Sequence, residues 1–481
     1  MVADTFNLEE LLASDNRVKV AGIDIDGLLR GKVLDKSKFL STLQDGFGFC
    51  SVIFGWDIHD LDYNCTATSG SGENRKLTVT NVADTGYGDL IAKVDLSSMR
   101  RIPWDKHNTP FFFVDFYNPL SSEGTVNVCP RGLLKTVIER YKALGLEPMC
   151  GLEYEFYNYD ETPESLAQKQ GVGLQMLTPG NYGYSLTRLA LNDKYSDGIW
   201  DNSQAIGAVI EGFHTESGSS VYEAALKYTT ALELADRAQL FKMTAKQVGL
   251  QNGVIASFMA KPSDKLPGCS GHIHISLRDI VTKVNQFASS TTAANNTSFP
   301  GMSAMMQHFV AGVLDGLPSI LAILAPNINS YKRLVSGNFV STAANWGIEQ
   351  RNTALRVIAP PVCPPSATRV EIRTAGSDIN PHLAIAAVLA CGMRGIQLQL
   401  DLTDADKYPQ VGSPSYNANV APKFANNLPD AANCMMEEGS VARQVLGDAF
   451  VDHYGATRLH ECQLWAKTVT NRELIRYLEI I

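Results

Sequence analysis

The chain has 481 residues, 45% of them hydrophobic and 19% charged, with a formal net charge of −9. That length can bury a large core spread over roughly two to four domains, and an acidic balance without any long Lys/Arg run excludes a general nucleic-acid binder. No apolar stretch is long enough to span a bilayer, Met1–Asp4 opens no secretory leader, and nine cysteines without a CxxC pair read as reduced thiols, so a cytoplasmic setting is expected.

In chain order, Val18 to Arg30 reads as a strand, a turn at Asp26-Gly27 and the start of a second strand. Gly48–Phe54 and Asp89–Asp95 suggest further strands, and Phe111–Phe116 is an apolar run. These make a β-rich N-terminal unit over residues 1–120, closed by the polar turn Pro119–Gly124. Pro130 opens a helical pattern whose apolar positions recur at i, i+3, i+4 and which stops at Gly145. Strand Met149–Tyr157 follows. The spacing predicts helices over Glu223–Gln247, Gly301–Ala325 and Pro381–Leu398, and Ala288–Ser298 has the composition of a surface loop. Strands first and mixed elements afterwards make the fold class α+β, with a second, larger unit over 121–481.

Three short segments alternate apolar and ionisable residues: Leu152-Glu153-Tyr154-Glu155-Phe156, Gly271-His272-Ile273-His274-Ile275 and Arg369-Val370-Glu371-Ile372-Arg373. Side chains alternate faces along a strand, so each segment aims its polar residues one way. Two carboxylates on one face repel unless a cation or a raised pKa relieves them. Glu211, His214, Glu216 and Glu223 form a further acidic cluster. The seven-residue spacing of Glu216 and Glu223 fits either two helical turns or a loop feeding the next helix. Carboxylates outnumber imidazoles and no cysteine has zinc-ligand spacing, which suits Mg²⁺ or Mn²⁺. Arg333, Arg351, Arg356, Arg369 and Arg373 crowd together, and arginine forks suit carboxylate and phosphate. No Walker or Rossmann glycine loop accompanies them. Any one cluster reads equally as solvated surface. Four separate segments imitating parts of one site do not.

With those motifs, and with Lys261-Pro262, Gly268, Asn329–Val335 and Asn380-Pro381-His382-Leu383 in the same order, the chain resembles the glutamine synthetase family over nearly its whole length. The resemblance implies a β-grasp-like N-terminal domain, a catalytic domain of antiparallel sheet and helices, and a homo-oligomeric ring, decamer or dodecamer, with active sites between subunits. It also implies glutamate, ATP and an amine as partners and two divalent cations per site. By that resemblance Glu155, Glu216 and Glu223 hold one cation, and Glu153, His272 and Glu371 the other. Gly268, Arg333, Arg351 and Arg373 hold glutamate. Glu211, His274, Ser276, Arg356 and Arg369 serve the nucleotide side, while Arg351, Arg356, Glu153 and Glu155 take part in phosphoryl transfer.

Three positions depart from the family pattern. Where ammonia-using members carry an Asp in Phe-Asp-Gly-Ser, this chain has Cys50. Phe339 stands where a Glu flanks the ammonium site, and Val221 replaces a Gln. Two lost negative charges favour an amine other than ammonia, as in the glutamate–polyamine branch and related synthetase-like proteins. Two rivals are a glutamine synthetase that deprotonates ammonium with Asp57 or Asp60, and a catalytically silent structural or regulatory oligomer. A His272-x-His274 hydrolase leaves the arginines unexplained.

Overall fold

The computed structural model describes residues 8–63, 67–68, 74–75, 86–121, 124–289, 299, 301–335 and 340–480. Two sheets organise the α+β fold. The first contains β1 (Arg17–Ile23), β2 (Leu29–Asp35), β3 (Phe47–Cys50), β4 (Asp89–Val94) and β5 (Pro110–Tyr117), in the order β2-β1-β5-β4-β3. β5 is its central strand, buried along nearly its whole length, parallel to β1 and antiparallel to β4. Its apolar run, interrupted only by Asp115, is what burial on both faces demands. Helix α1 (Lys36–Ser41) follows β2 and is capped by Asp35, whose carboxylate accepts from the amides of Ser37 and Lys38.

Helix α2 (Pro130–Lys142) leads into the second sheet, and Gly145, at φ +73°, supplies the left-handed residue beyond its end. The strands are β6 (Leu146–Tyr159), β7 (Ile210–Thr215), β8 (Val221–Thr230), β9 (Ile255–Ser257), β10 (Gly271–Asp279), β11 (Trp346–Ile348), β12 (Leu355–Ile358) and β13 (Arg369–Ile372). Their order is β7-β8-β6-β10-β13-β12-β11, with β9 paired to the end of β6, and every pairing except β11–β12 is antiparallel.

Behind this sheet lie α3 (Ala231–Gln251), α4 (Ala304–Leu324) and α5 (Pro381–Leu398), followed by α6 (Asp448–Ala466) and α7 (Asn471–Tyr477). By length and composition α4 and α5 match membrane spans, but 78% of each apolar window is buried inside the fold. They pack closely because both carry glycine at the crossing: a Cβ on Gly312 or on Gly395 would fall 2.6 Å from the other's Cα. Asn380 caps α5, accepting from the amides of His382 and Leu383, and its amide group reaches the carbonyls of Asp24 and Ile25 in the β1–β2 turn.

The two sheets share one continuous apolar core, and a buried charge cluster joins them. Arg131 on α2 contacts Asp95 (2.8 Å), Asp115 on β5 (3.2 Å) and Asp236 on α3 (2.9 Å). His382 adds a fourth side chain, with Nε2 2.8 Å from Asp236.

Two expected elements differ. The strand expected over Gly48–Phe54 ends at Cys50, and Ser51–Phe54 is a buried 3₁₀ turn. Its partner β4 starts at Asp89, opposite Cys50, so the ladder has nothing further to pair with. The helix expected from Glu223 begins only at Ala231. Glu223 lies on β8, where Tyr222, Ala224 and Leu226 are buried and both edges are paired. Pairing on two sides overrides the helical propensity of Glu-Ala-Ala-Leu-Lys. Most of the loop expected over Ala288–Ser298 lies outside the described residues, while all eight cysteines within them are free.

Candidate active site

Strand register assembles the ionisable residues. In the β7–β8–β6 ladder, His214 lies opposite Glu223 and Glu223 opposite Glu155. Two residues back along β6, about 7 Å away by strand rise, Glu153 lies opposite His272 on β10. Two residues further along β10, His274 lies opposite Glu371 on β13, which in turn lies opposite Arg356 on β12. Directly paired residues share a face, as do residues two apart. One sheet face therefore carries three rows: His214–Glu223–Glu155, Glu153–His272 and His274–Glu371–Arg356. The expectation of a helix or loop joining Glu216 to Glu223 gives way to a hairpin: Glu216 follows β7 in the turn, its amide donating to Val221 O.

Within this face two groups of three have donor atoms close enough to hold a cation. The first is Glu153, His272 and Glu371. His272 Nδ1 lies 3.4 Å from Glu153 and 3.5 Å from Glu371. Burial pushes the Glu153 carboxyl up, but hydrogen bonds from His272 and His274 outweigh it and hold the group well below the usual range. Burial likewise raises Glu371, and the fields of His272, His274 and Arg373 bring it down on balance. Arg369 Nε donates to His274 Nδ1 at 3.2 Å, which leaves His274 Nε2 to face Glu153, also at 3.2 Å.

The second group is His214, Glu216 and Glu223. His214 lies 3.8 Å from Glu216 and 3.9 Å from Glu223. None of the largest contributions to the Glu223 carboxyl comes from an arginine. Burial, reinforced by Glu155, Glu153, Glu216 and Glu371, pushes Glu223 up to about 9, and Glu216 Oε2 is buried with no hydrogen-bond partner among the described residues. An uncompensated anionic pocket with an orphaned acceptor is what a divalent cation fits, and a donor set dominated by oxygen suits Mg²⁺ or Mn²⁺. Glu155 faces Glu223 in register, but its Oε2 accepts from Ser270 N at 2.7 Å, and His214 takes its place in the close triad.

Beside the first group opens a cavity of about 370 Å³ lined by Glu153, Glu211, Tyr228, His274, Ser276 and Arg369 among others. Four of the five residues expected on the nucleotide side meet there. Arg356, the fifth, instead bridges Glu371 (3.0 Å) and Glu349 (2.5 Å). Arg333 is buried and donates to Thr374 O, Arg373 O and Ser270 Oγ, each at 2.9 Å. Gly268 packs against it, since a Cβ there would come 2.8 Å from Arg333 Cγ. Arg373 pairs with Glu371 and donates through Nε to the carbonyl of Arg351, whose own side chain is exposed.

His214 has a place here that the motif reading did not assign it. Its signal was available, because it lies two residues before Glu216 on a strand that pairs with the one carrying Glu223. Tyr184, whose ring stacks on His214 at 4.4 Å, and Glu349 had no such signal. Of the departing positions, Cys50 directs its thiol to Tyr87 O at 3.6 Å, and Val221 is buried in a small cluster with Tyr157, Tyr159 and Cys269. Phe339 lies outside the described residues. The alternative bases are engaged elsewhere. Asp57 accepts from the amides of His59 and Leu61 and lies 3.5 Å from His460, while Asp60 pairs with Arg30 at 2.6 Å.

A family model for the glutamine synthetase catalytic domain matches residues 127–477. A type-1 glutamine synthetase 2 of Dictyostelium discoideum is 41% identical over 466 residues, covering 96% of this chain and 84% of its own. A glutamate–isopropylamine ligase of a Pseudomonas species is 31% identical over 96% of this chain and 95% of its own. A gamma-glutamylethanolamide synthetase of Streptomyces coelicolor is also 31% identical, over 96% and 92%. Among solved structures, a GmaS–ADP complex superposes with a TM-score of 0.77 at 22% identity, covering 98% of this chain and 99% of that one. A glutamine synthase homologue superposes with a TM-score of 0.74 at 23% identity, covering 97% and 98%. At such identities the structural matches bear on the fold alone.

Proposed function

Because the chain belongs to the glutamine synthetase family of carbon–nitrogen ligases, we propose that it joins glutamate to an organic amine through γ-glutamyl phosphate, with ATP as phosphoryl donor. The observation that carries this reading is the single sheet face that brings together two groups able to hold cations, the first of them beside the 370 Å³ cavity. Glu153, His272 and Glu371 would hold one cation. Glu216 and Glu223, with Glu155 or His214, would hold the other. Bound there, Mg²⁺ or Mn²⁺ neutralises charge on the transferring phosphoryl group.

The side chains supply the rest. Glu211, His274, Ser276 and Arg369 line the place for the nucleotide. Arg333 and Arg373 hold the carboxylates of glutamate beside Gly268, and Arg351 and Arg356 balance the negative charge that develops in transfer. Burial of the face keeps water from an acyl phosphate, leaving the amine as nucleophile. Residues 1–120 and 121–481 are the two domains of this reading. A ring of subunits is part of it as well, and the bare apolar surface of α7 supports association: Ile475 is 80% and Leu478 just beyond it 77% exposed.

An organic amine is favoured by Cys50 and Phe339, which remove two carboxylates from where ammonium is held in ammonia-using members, and by two relatives named for organic amines. A specific observation favours ammonia instead: the relative at 41% identity is named a glutamine synthetase. The test is glutamate-dependent ATP turnover with ammonia, methylamine, isopropylamine, ethanolamine and putrescine. An organic amine exceeding ammonia about tenfold in kcat/KM supports the proposal. The reverse ratio establishes glutamine synthesis, and turnover with none of them leaves the silent oligomer.

A further inference from the structure

Arg333 is a buried cation, and each of its hydrogen bonds in the fold goes to a neutral oxygen: Thr374 O, Arg373 O and Ser270 Oγ. Its Nε has no hydrogen-bond partner among the described residues. The carboxylates whose fields act on it are Glu155 and Asp378. Glu155 belongs to the sheet face, but Asp378 has been given no role. It also touches the segment from which Arg333 emerges. Asp378 Oδ2 accepts from Asn327 Nδ2 at 2.8 Å and from Ser330 Oγ at 2.6 Å. Asn327 and Ser330 close the same turn on each other, each amide donating to the other's side chain at 3.1 and 3.2 Å. A 3₁₀ turn, Ser330–Lys332, then delivers Arg333.

The other end of Asp378 is equally fixed. It ends the stretch that begins at Arg373, and that stretch is stitched under the site. Ser377 Oγ donates to Glu155 O at 2.5 Å, and Ser377 N donates to Cys269 O at 3.2 Å. Gly376 bridges to Ser270 and has no room for a side chain, because a Cβ there would collide with Asp378 Oδ1. Lys242, the nearby buried amine, donates to Ile379 O, and its field joins that of Arg333 in favouring the Asp378 carboxylate against a burial that raises the group on balance. One carboxylate therefore connects the turn carrying Arg333 to the segment carrying Arg373.

We propose that Asp378 is a positioning residue for the carboxylate substrate: it fixes the Asn327–Ser330 turn and balances the Arg333 charge, so that the guanidinium is set before glutamate arrives. The inference rests on the reading that Arg333 binds glutamate. Preset geometry lowers the ordering cost of binding, so losing it shows in substrate affinity before it shows in turnover.

Asp378→Asn tests it, since the amide oxygen still accepts from Asn327 and Ser330 while the charge is gone. The glutamate KM should rise about tenfold, with the ATP KM within about twofold and kcat within about threefold of wild type. Ser330→Ala, which removes one of the two bonds and leaves the charge, should raise the glutamate KM about threefold. An unchanged glutamate KM in Asp378→Asn, with wild type turning over glutamate, overturns the positioning role and leaves the proposed activity standing. Equal rises in both KM values with a lowered Tm also overturn it, as general damage to the fold. If Asp378→Asn fails to fold, Ser330→Ala decides: no selective rise in its glutamate KM refutes the role. Wild type inactive with glutamate in every amine reaction overturns the proposed function and this inference together.

Discussion

Glu223→Gln should stabilise the cation-free protein at alkaline pH while removing its response to divalent cations. In the fold the Glu223 carboxyl is raised from 4.5 to about 9, first by burial and then by four neighbouring carboxylates. Between those values the native state keeps a proton that the unfolded chain has released. Stability therefore falls as pH rises through that window. Raising one carboxyl so far corresponds to a ceiling of about 6 kcal/mol, and water penetration and relaxation bring a realistic figure nearer 2–3 kcal/mol. Unfolding entropy for a chain of this length is about 1 kcal/mol per degree. In EDTA at pH 8.5 the variant should thus melt about 2–3 °C above wild type, and the gap should shrink toward pH 5. Saturating Mn²⁺ should reverse the order, because a ligand at 100 times its Kd adds about 2.7 kcal/mol to wild type and the variant lacks the charge that holds it. Calorimetry in two buffers of different ionisation enthalpy should also find about one proton released as wild type binds the cation at pH 7.5. If Glu223→Gln melts below wild type in EDTA at every pH, the pocket is not strained by its own charge and the reasoning fails.

Arg373→Ala should lower kcat/KM for glutamate by about 30-fold to several-thousandfold, since a charge-assisted contact in a desolvated site is worth about 2–5 kcal/mol; steady-state kinetics at varied glutamate will measure it. Arg131→Ala leaves Asp95, Asp115 and Asp236 buried together without their cation and should cost about 3–5 kcal/mol, read in urea denaturation. Burial raises Asp95 and Asp236, but the field of Arg131 together with side-chain hydrogen bonds, from Ser97 and Lys135 to the first and from His382 and Arg131 to the second, holds both below their ordinary values. The stability they contribute is present above about pH 4 and should be lost as the pH falls through their depressed values, less steeply in the Arg131 variant. Gly395→Ala puts a methyl against His308 O and Gly312 and should destabilise by about 1–3 kcal/mol, whereas alanine at exposed Gly439, with open space around it, has only its positive φ to overcome.

Much of the site was legible because its residues lie on strands with a strict alternation. Leu152–Phe156, Gly271–Ile275 and Arg369–Arg373 announce their polar face without reference to any partner. Which strand lies beside which is not written locally. The pairing of Glu223 with Glu155 joins positions 68 residues apart by number, and β8 on its own has the composition of a helix. The same limit left His214 without a stated role inside its acidic cluster, since that role depends on the hairpin, and hid Asp378, whose role depends on two distant turns. Asp57 and Asp60 looked available as bases because a sequence does not reveal which carboxylates are already occupied by turn amides and arginines.

β6 acts as a ruler for the catalytic face. It carries Glu153 and Glu155, and it is registered against β8 on one edge and β10 on the other. A slip of one residue in this strand would turn both glutamates to the apolar side, removing Glu153 from the first cation group and Glu155 from beside the second. The cation groups therefore resist piecemeal change. The departing position Cys50 lies off this strand, closing an edge strand of the other sheet, where a replacement leaves the register untouched. A scaffold divided in this way can acquire a new amine by exchanging peripheral residues while the phosphoryl-transfer geometry descends unaltered, so divergence among such ligases should be concentrated in the parts of the chain that do not set the spacing.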